Sequence, residues 1–163
     1  MTNKDINTVV WSNAFSCGIK LIDEQHKGLV NLVNDMFSHV TGDDQQEREY
    51  LNRVIHEAIR YIRIHFATEE KIMNATKFDD YKEHKQAHDS FILSIAGHVK
   101  SVAAGKRYTI MPFAKFLKDW ILSHIAVMDK RYFEYFKQIA ARKEDGRITI
   151  NPADLQNAVT AIK

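Results

Sequence analysis

A chain of 163 residues, 45% hydrophobic and 27% charged, is long enough for one domain with a substantial core and has the composition of a globular protein. A net charge of +2 with no basic run behind it argues against nucleic acid as a partner. Cys17 is the only cysteine, which excludes an intramolecular disulfide and a thiolate zinc site, and 6 Gly with 2 Pro favour a few long helices over many short strands.

The opening MTNKDINTVV lacks the apolar core of a signal peptide, and no apolar run reaches transmembrane length. The expectation is a cytoplasmic protein without a membrane partner. Residues 1 to 18 read as an irregular arm anchored by Trp11 and Phe15 and broken at Gly18. From about Ile19 to Val40, the apolar residues Ile22, Leu29, Val33, Phe37 and Val40 recur at helical steps, and His26 falls on their stripe.

After TGDDQQ, Asp44 with Glu47 resembles a capping box opening a second helix over about 44 to 73. Its core stripe of Leu51, Val54, Ala58, Ile62, Ile72 and Met73 passes through His65 and Glu69. A carboxylate on a core stripe is costly unless it is paired or binds a metal. Asn74 to Asp80 reads as a polar loop, with Asp79 or Asp80 as cap for a third helix over about 81 to 104. There Tyr81, His84, His88, Phe91, Ile95, Val99 and Val102 share one face.

A stop at Gly105 and a cap at Thr109 start the fourth helix, whose inner face carries Phe113, Phe116 or Leu117, Trp120 and His124. Asp129 lies five residues after His124, roughly 140° away on an ideal helix, so it needs a local widening or break to turn inward. Phe133, Phe136, Ile139 and Ala140 continue the stripe. A turn at EDG, a short extended RITI and a last helix from Pro152 then complete the tail.

These elements predict an all-α fold, an up-down-up-down antiparallel four-helix bundle with an N-terminal arm and a short C-terminal helical extension. The expected division is a bundle over 1–142 and an extension over 143–163. The histidines lie ~21–24 Å from the far helix end in three helices and ~31 Å in the second, which brings them to the same end of the bundle.

The inward-facing set is therefore His26, His65, Glu69, His84, His88, His124 and Asp129: five imidazoles and two carboxylates. One ion that keeps an open position needs fewer ligands, whereas two ions bridged by the carboxylates fit. Imidazole with carboxylate suits iron, zinc, copper or manganese, and the absence of thiolate counts against iron–sulfur clusters. Leu29, Trp120, Ile121 and Ile125, one turn or one residue from these in sequence, would wall an apolar pocket and limit its proton supply. His39, His56 and His98 read as ordinary surface or helix-end histidines, Glu70 as a solvated neighbour, and DKRYFEYFK as a packed helix end.

The order H, HxxxE, HxxxH, HxxxxD resembles that of the bacterial hemerythrins, non-haem di-iron oxygen-binding bundles, over about residues 9 to 138. The amino-terminal residues Trp11, Phe15, Gly18, Ile19, Ile22, Asp23, Gln25, His26 and Lys27 resemble the family too. The resemblance implies one iron held by His84, His88 and His124 and a second held by His26 and His65 with a position open to dioxygen. Glu69 and Asp129 would bridge the pair, together with an oxo or hydroxo group from water. Ile121 stands where the family more often has leucine. The implied function is reversible dioxygen binding for storage, delivery or sensing, not enzymatic turnover. The alternatives are a di-iron oxidase or peroxidase-like enzyme, and a signalling module whose tail contacts a second copy or a protein partner.

Overall fold

The computed structural model describes residues 8–17, 19–104 and 110–144. Helix α1 spans Lys20–Ser38, α2 Asp44–Thr76, α3 Tyr81–Ala103, α4 Ile110–His124 and α5 Lys130–Glu144. A π-helical turn, Ile125–Asp129, joins α4 to α5, so these two form one continuous rod and the architecture is a four-helix bundle. Cross-helix contacts fix the alternating direction: Gln25 meets Thr68 and Asp35 meets Tyr50, Glu70 meets Lys85, and His98 meets Phe113. Gly18, Gly105, Thr109, the extended RITI and the helix from Pro152 lie outside the described residues. Helix α5 runs to Glu144, two residues past the expected boundary at 142.

The helix ends refine several expectations. Asp43, not Asp44, caps α2: its carboxylate accepts from the amides of Gln45 and Gln46, while Glu47 reaches back to those of Thr41 and Gly42. Helix α2 also continues three residues beyond Met73. It closes with Lys77 in the left-handed region at φ 55° and with the Phe78 amide on the Met73 carbonyl, an arrangement that usually takes glycine. The Tyr135 hydroxyl donates to the carbonyls of Thr76 and Lys77, which the helix itself leaves unpaired. Asp80 occupies the cap position of α3 without capping, because Arg131 takes its carboxylate at 2.6 Å. On α4, Leu117 is the fully buried member of the expected pair and Phe116 packs half-buried.

Between Val9 and Cys17 the arm makes specific contacts with α1. Residues Asn13–Phe15 form a 3₁₀ turn, and Asp23 of α1 accepts from the Ser16 hydroxyl and the Cys17 amide, each at 2.7 Å. Further out, the amide side chain of Asn34 pairs with both main-chain groups of Val9. These bonds lay the Trp11 ring 6.4 Å from His26, with the Lys27 ammonium 5.4 Å from the ring centre.

Apolar packing falls into two bodies. The larger contains Leu29, Val33, Leu51, Ile62, Phe66, Phe91, Leu117, Ile121 and Ile125. The smaller gathers Cys17, Ile22, Ile72, Met73, Phe78, Tyr132 and Phe133. Along each rod the polar residues fall between the two: His26 between Ile22 and Leu29, Glu69 between Phe66 and Ile72, Asp129 between Ile125 and Tyr132. The bundle thus holds one charged layer, sealed by apolar packing above and below.

Candidate metal centre

That layer collects all seven residues singled out above, and each is at most 5% exposed. It contains two overlapping groups whose nitrogen and oxygen atoms lie within 4.8 Å of one another: Glu69 with His84, His88 and His124, and Glu69 and Asp129 with His26 and His65. The widening needed after His124 is present. The Ile125–Asp129 turn closes i→i+5 bonds, which returns Asp129 to the face of His124 and aims its carboxylate inward.

Each carboxylate faces both imidazole sets. Glu69 Oε1 lies 3.6 Å from His26 Nε2 and 3.8 Å from His65 Nε2, whereas Oε2 lies 3.6 Å from His84 Nε2 and 3.4 Å from His88 Nε2. Asp129 Oδ2 points to His26 at 3.3 Å, and Oδ1 points to His84 at 3.3 Å and His124 at 3.2 Å. The Nε2 atoms of His84, His88 and His124 form a near-equilateral triangle with sides of 3.1, 3.1 and 3.2 Å. Two nitrogens at right angles around an ion, each ~2.1–2.2 Å from it, would stand ~3.0–3.1 Å apart, so the triangle fits one face of an octahedron.

The unpaired atoms give an independent test. Both oxygens of Glu69, both of Asp129 and both ring nitrogens of His26 are buried without a hydrogen-bond partner. Buried anions without partners are costly, and a pair of cations between them would satisfy the four carboxylate oxygens and His26 Nε2. In the metal-free chain protons partly fill that role. Burial disfavours the charged form of His26 and His84, but Asp129 and Glu69 outweigh it and raise both to about 9. His65, where burial dominates, falls to about 4. Burial would raise Glu69, yet His65, His26, His84 and His88 hold it well below the ordinary carboxylate range. Asp129 is lowered in the same way: burial and Glu69 oppose its charge, and His124, His26 and His84 prevail.

The outer nitrogens reveal residues that the sequence did not single out as functional. His65 Nδ1 lies 3.1 Å from Gln25 Oε1, and His88 Nδ1 lies 3.2 Å from Glu70 Oε1. Such partners fix ring orientation and tautomer at metal sites. Glu70 is therefore not simply solvated: only 20% of its side chain is exposed, and it is held between His88 and Lys85. The Phe66 ring stacks on His88 at 3.7 Å and 4°, and Trp120 on His124 at 4.2 Å and 14°. Proximity in sequence marked Gln25 and Glu70 as neighbours of ligand candidates, but only cross-helix packing shows which nitrogen they reach.

Leu29, Ile121 and Ile125 are buried beside the layer, and Trp120 packs half-buried against the same body. His39 stacks on Tyr50 and His98 packs against Phe116, while His56 is exposed. None of these three belongs to the cluster. Among the described residues, no helix is long and apolar enough to cross a membrane.

Fold and cluster together define a four-helix-bundle protein of the cation-binding class. The pattern of the hemerythrin HHE cation binding domain matches residues 17–136, and the chain belongs to the hemerythrin family. It is 30% identical over 128 residues to a bacteriohemerythrin of Pseudomonas aeruginosa, covering 77% of this chain and 80% of that one. It is 27% identical over 125 residues to a bacteriohemerythrin of Methylococcus capsulatus, covering 76% and 93%. A crystal structure of wild-type hemerythrin superposes with a TM-score of 0.70 at 28% identity, covering 77% of this chain and 95% of that one.

Proposed function

We propose that this hemerythrin binds dioxygen reversibly at a non-haem pair of iron ions and serves as a store or carrier of the gas. The observation that carries the reading is the asymmetry of the buried cluster. Three imidazoles converge on one side, two on the other, and each carboxylate places its two oxygens toward opposite sides. His84, His88 and His124 would fill one ion's positions. His26 and His65 would hold the second and leave room for a ligand. Glu69 and Asp129 would bridge the two, with a water-derived oxygen between them.

When bound, an iron pair supplies the electrons that make dioxygen binding possible. The chain supplies the rest. Glu69 and Asp129 would hold the ions together against their mutual repulsion, and the imidazoles would fill positions otherwise open to water. Leu29, Ile121 and Ile125, with Trp120 at the edge, exclude water from the layer, which favours release of the gas unchanged over its conversion to free peroxide. That apolar enclosure supports binding over turnover. The expected C-terminal extension over 143–163, with its short helix, would pack on the bundle or contact a second copy or a protein partner.

The test follows the visible absorption of anaerobic ferrous protein exposed to oxygen and then degassed. Colour that appears and then vanishes on degassing is expected. One-way oxidation with release of peroxide would replace the carrier with an oxidase.

A further inference from the structure

Each imidazole set has one ring whose outer nitrogen is held from a neighbouring helix. In the three-imidazole set the triangle of nitrogens is closed by three helix positions, and His88 also has Glu70 behind it. One outer nitrogen in each set is buried without a partner, His84 Nδ1 in the first and His26 Nδ1 in the second. In the two-imidazole set the engaged outer nitrogen is that of His65, held by Gln25.

Which end of the Gln25 amide faces His65 follows from the direction of a short hydrogen-bond chain. The Thr68 hydroxyl, on a residue 1% exposed, donates to the Ile64 carbonyl at 2.8 Å. Its single proton is thereby committed, so it can only accept from Gln25, whose Nε2 lies 3.2 Å away. With Nε2 turned to Thr68, Oε1 faces His65 and accepts from its Nδ1 at 3.1 Å. A proton on Nδ1 leaves the lone pair on Nε2, the atom aimed into the cluster. With the amide reversed, its NH₂ would require an acceptor at Nδ1, and the His65 proton would then point into the pocket.

The backbone of Gln25 is anchored as well. Its carbonyl accepts from the Tyr61 hydroxyl at 3.1 Å. Tyr61 crosses α1 at Gly28, where a Cβ would stand 2.0 Å from its oxygen. Only glycine leaves room for that crossing.

We infer that Gln25, oriented by Thr68, is the positioning residue of the two-imidazole pocket, presetting the His65 tautomer for the second ion and for that ion alone. The inference rests on the metal reading above, and the experiment separates the two. Metal-free wild-type chain and the variants Thr68→Val, Thr68→Ser and Gln25→Leu are titrated with cobaltous ions. In parallel, ¹H–¹⁵N spectra of the metal-free proteins report which nitrogen of His65 carries the proton.

Wild type and Thr68→Ser are expected to take two ions and to show the proton on Nδ1. Thr68→Val, close in shape but unable to accept, is expected to mix the tautomers and weaken the second ion ~10–100-fold while leaving the first unchanged, and Gln25→Leu to weaken the second ion similarly. An unchanged second affinity in both Thr68→Val and Gln25→Leu overturns the inference, as does equal weakening of both ions. A wild-type chain that takes no second cobalt overturns the metal reading and with it the role in metal binding. The spectra still decide the direction of the amide in that case.

Discussion

The π-helical turn permits a prediction that runs against ordinary experience with helices. Deleting one residue from the middle of a helix rotates everything beyond it by ~100°, which normally removes the following core residues from the core. Here the deletion of Ala126, an exposed residue, would leave Asp129 four positions after His124, the spacing that already joins His65 to Glu69. Four α-helical steps end only ~40° from the starting azimuth, close to where the wide turn now delivers Asp129. Tyr132, Phe133 and the rest of α5 would follow in register. The deletion is expected to fold, to keep its metal stoichiometry and to change stability by about 1 kcal/mol or less, as a surface change does.

Inserting one alanine after Ala126 should do the opposite. It would swing Asp129 away from contacts of 3.2 and 3.3 Å with three imidazoles and carry Tyr132 and Phe133 out of the core, where they are 0% and 4% exposed. Losing one large aromatic contact costs ~3–5 kcal/mol, so two of them with a buried charge exceed ~5 kcal/mol and exhaust the margin of many domains. Urea denaturation followed by circular dichroism, with metal counted per chain, reads both variants. Equal failure of the deletion and the insertion would refute the reasoning, because it would mean that the wide turn itself, not the direction of Asp129, is required.

Three further outcomes are expected. Glu69→Gln should weaken both ions, each by at least ~100-fold, since losing one member of a buried charge cluster costs ~3–5 kcal/mol and its two oxygens face opposite sets; weakening of one ion alone, measured by metal titration, would show that the carboxylate is not shared. The metal-free chain should lose thermal stability as pH rises. His26 and His84 are raised from 6.5 to about 9, so their contribution is complete below pH 6.5 and disappears through pH 9, whereas the metal-loaded chain, whose imidazoles carry no such proton, should lack this decline. Gly28→Ala should displace Tyr61 from the Gln25 carbonyl and cost ~1–3 kcal/mol, read as a lower thermal midpoint; an unchanged midpoint would mean the ring relocates freely.

Much of this architecture was legible because helical periodicity exposes a residue that does not belong. His65 and Glu69 sit on a stripe of Leu51, Val54, Ala58 and Ile62, and a carboxylate in such company announces a partner. The five-residue step to Asp129 announced a distortion for the same reason, and the turn at Ile125–Asp129 supplies it. What stayed hidden depends on rotamers and on competition between helices. Asp80 is a fair cap by its position, but an arginine 51 residues later takes its carboxylate. Glu70 looks solvated in a linear reading, since nothing in α2 shows that His88 turns its outer nitrogen toward it. The choice between Phe116 and Leu117 turned on the azimuth of α4, which a stripe two residues wide does not settle.

Every rod of the bundle sends at least one side chain into the charged layer. Ions seated there would act as rivets through four plates, so their binding energy would add directly to the resistance of the whole chain to unfolding. Supply of the element would then set how long each copy survives proteolysis, and starvation would thin the population of idle chains without any dedicated signal.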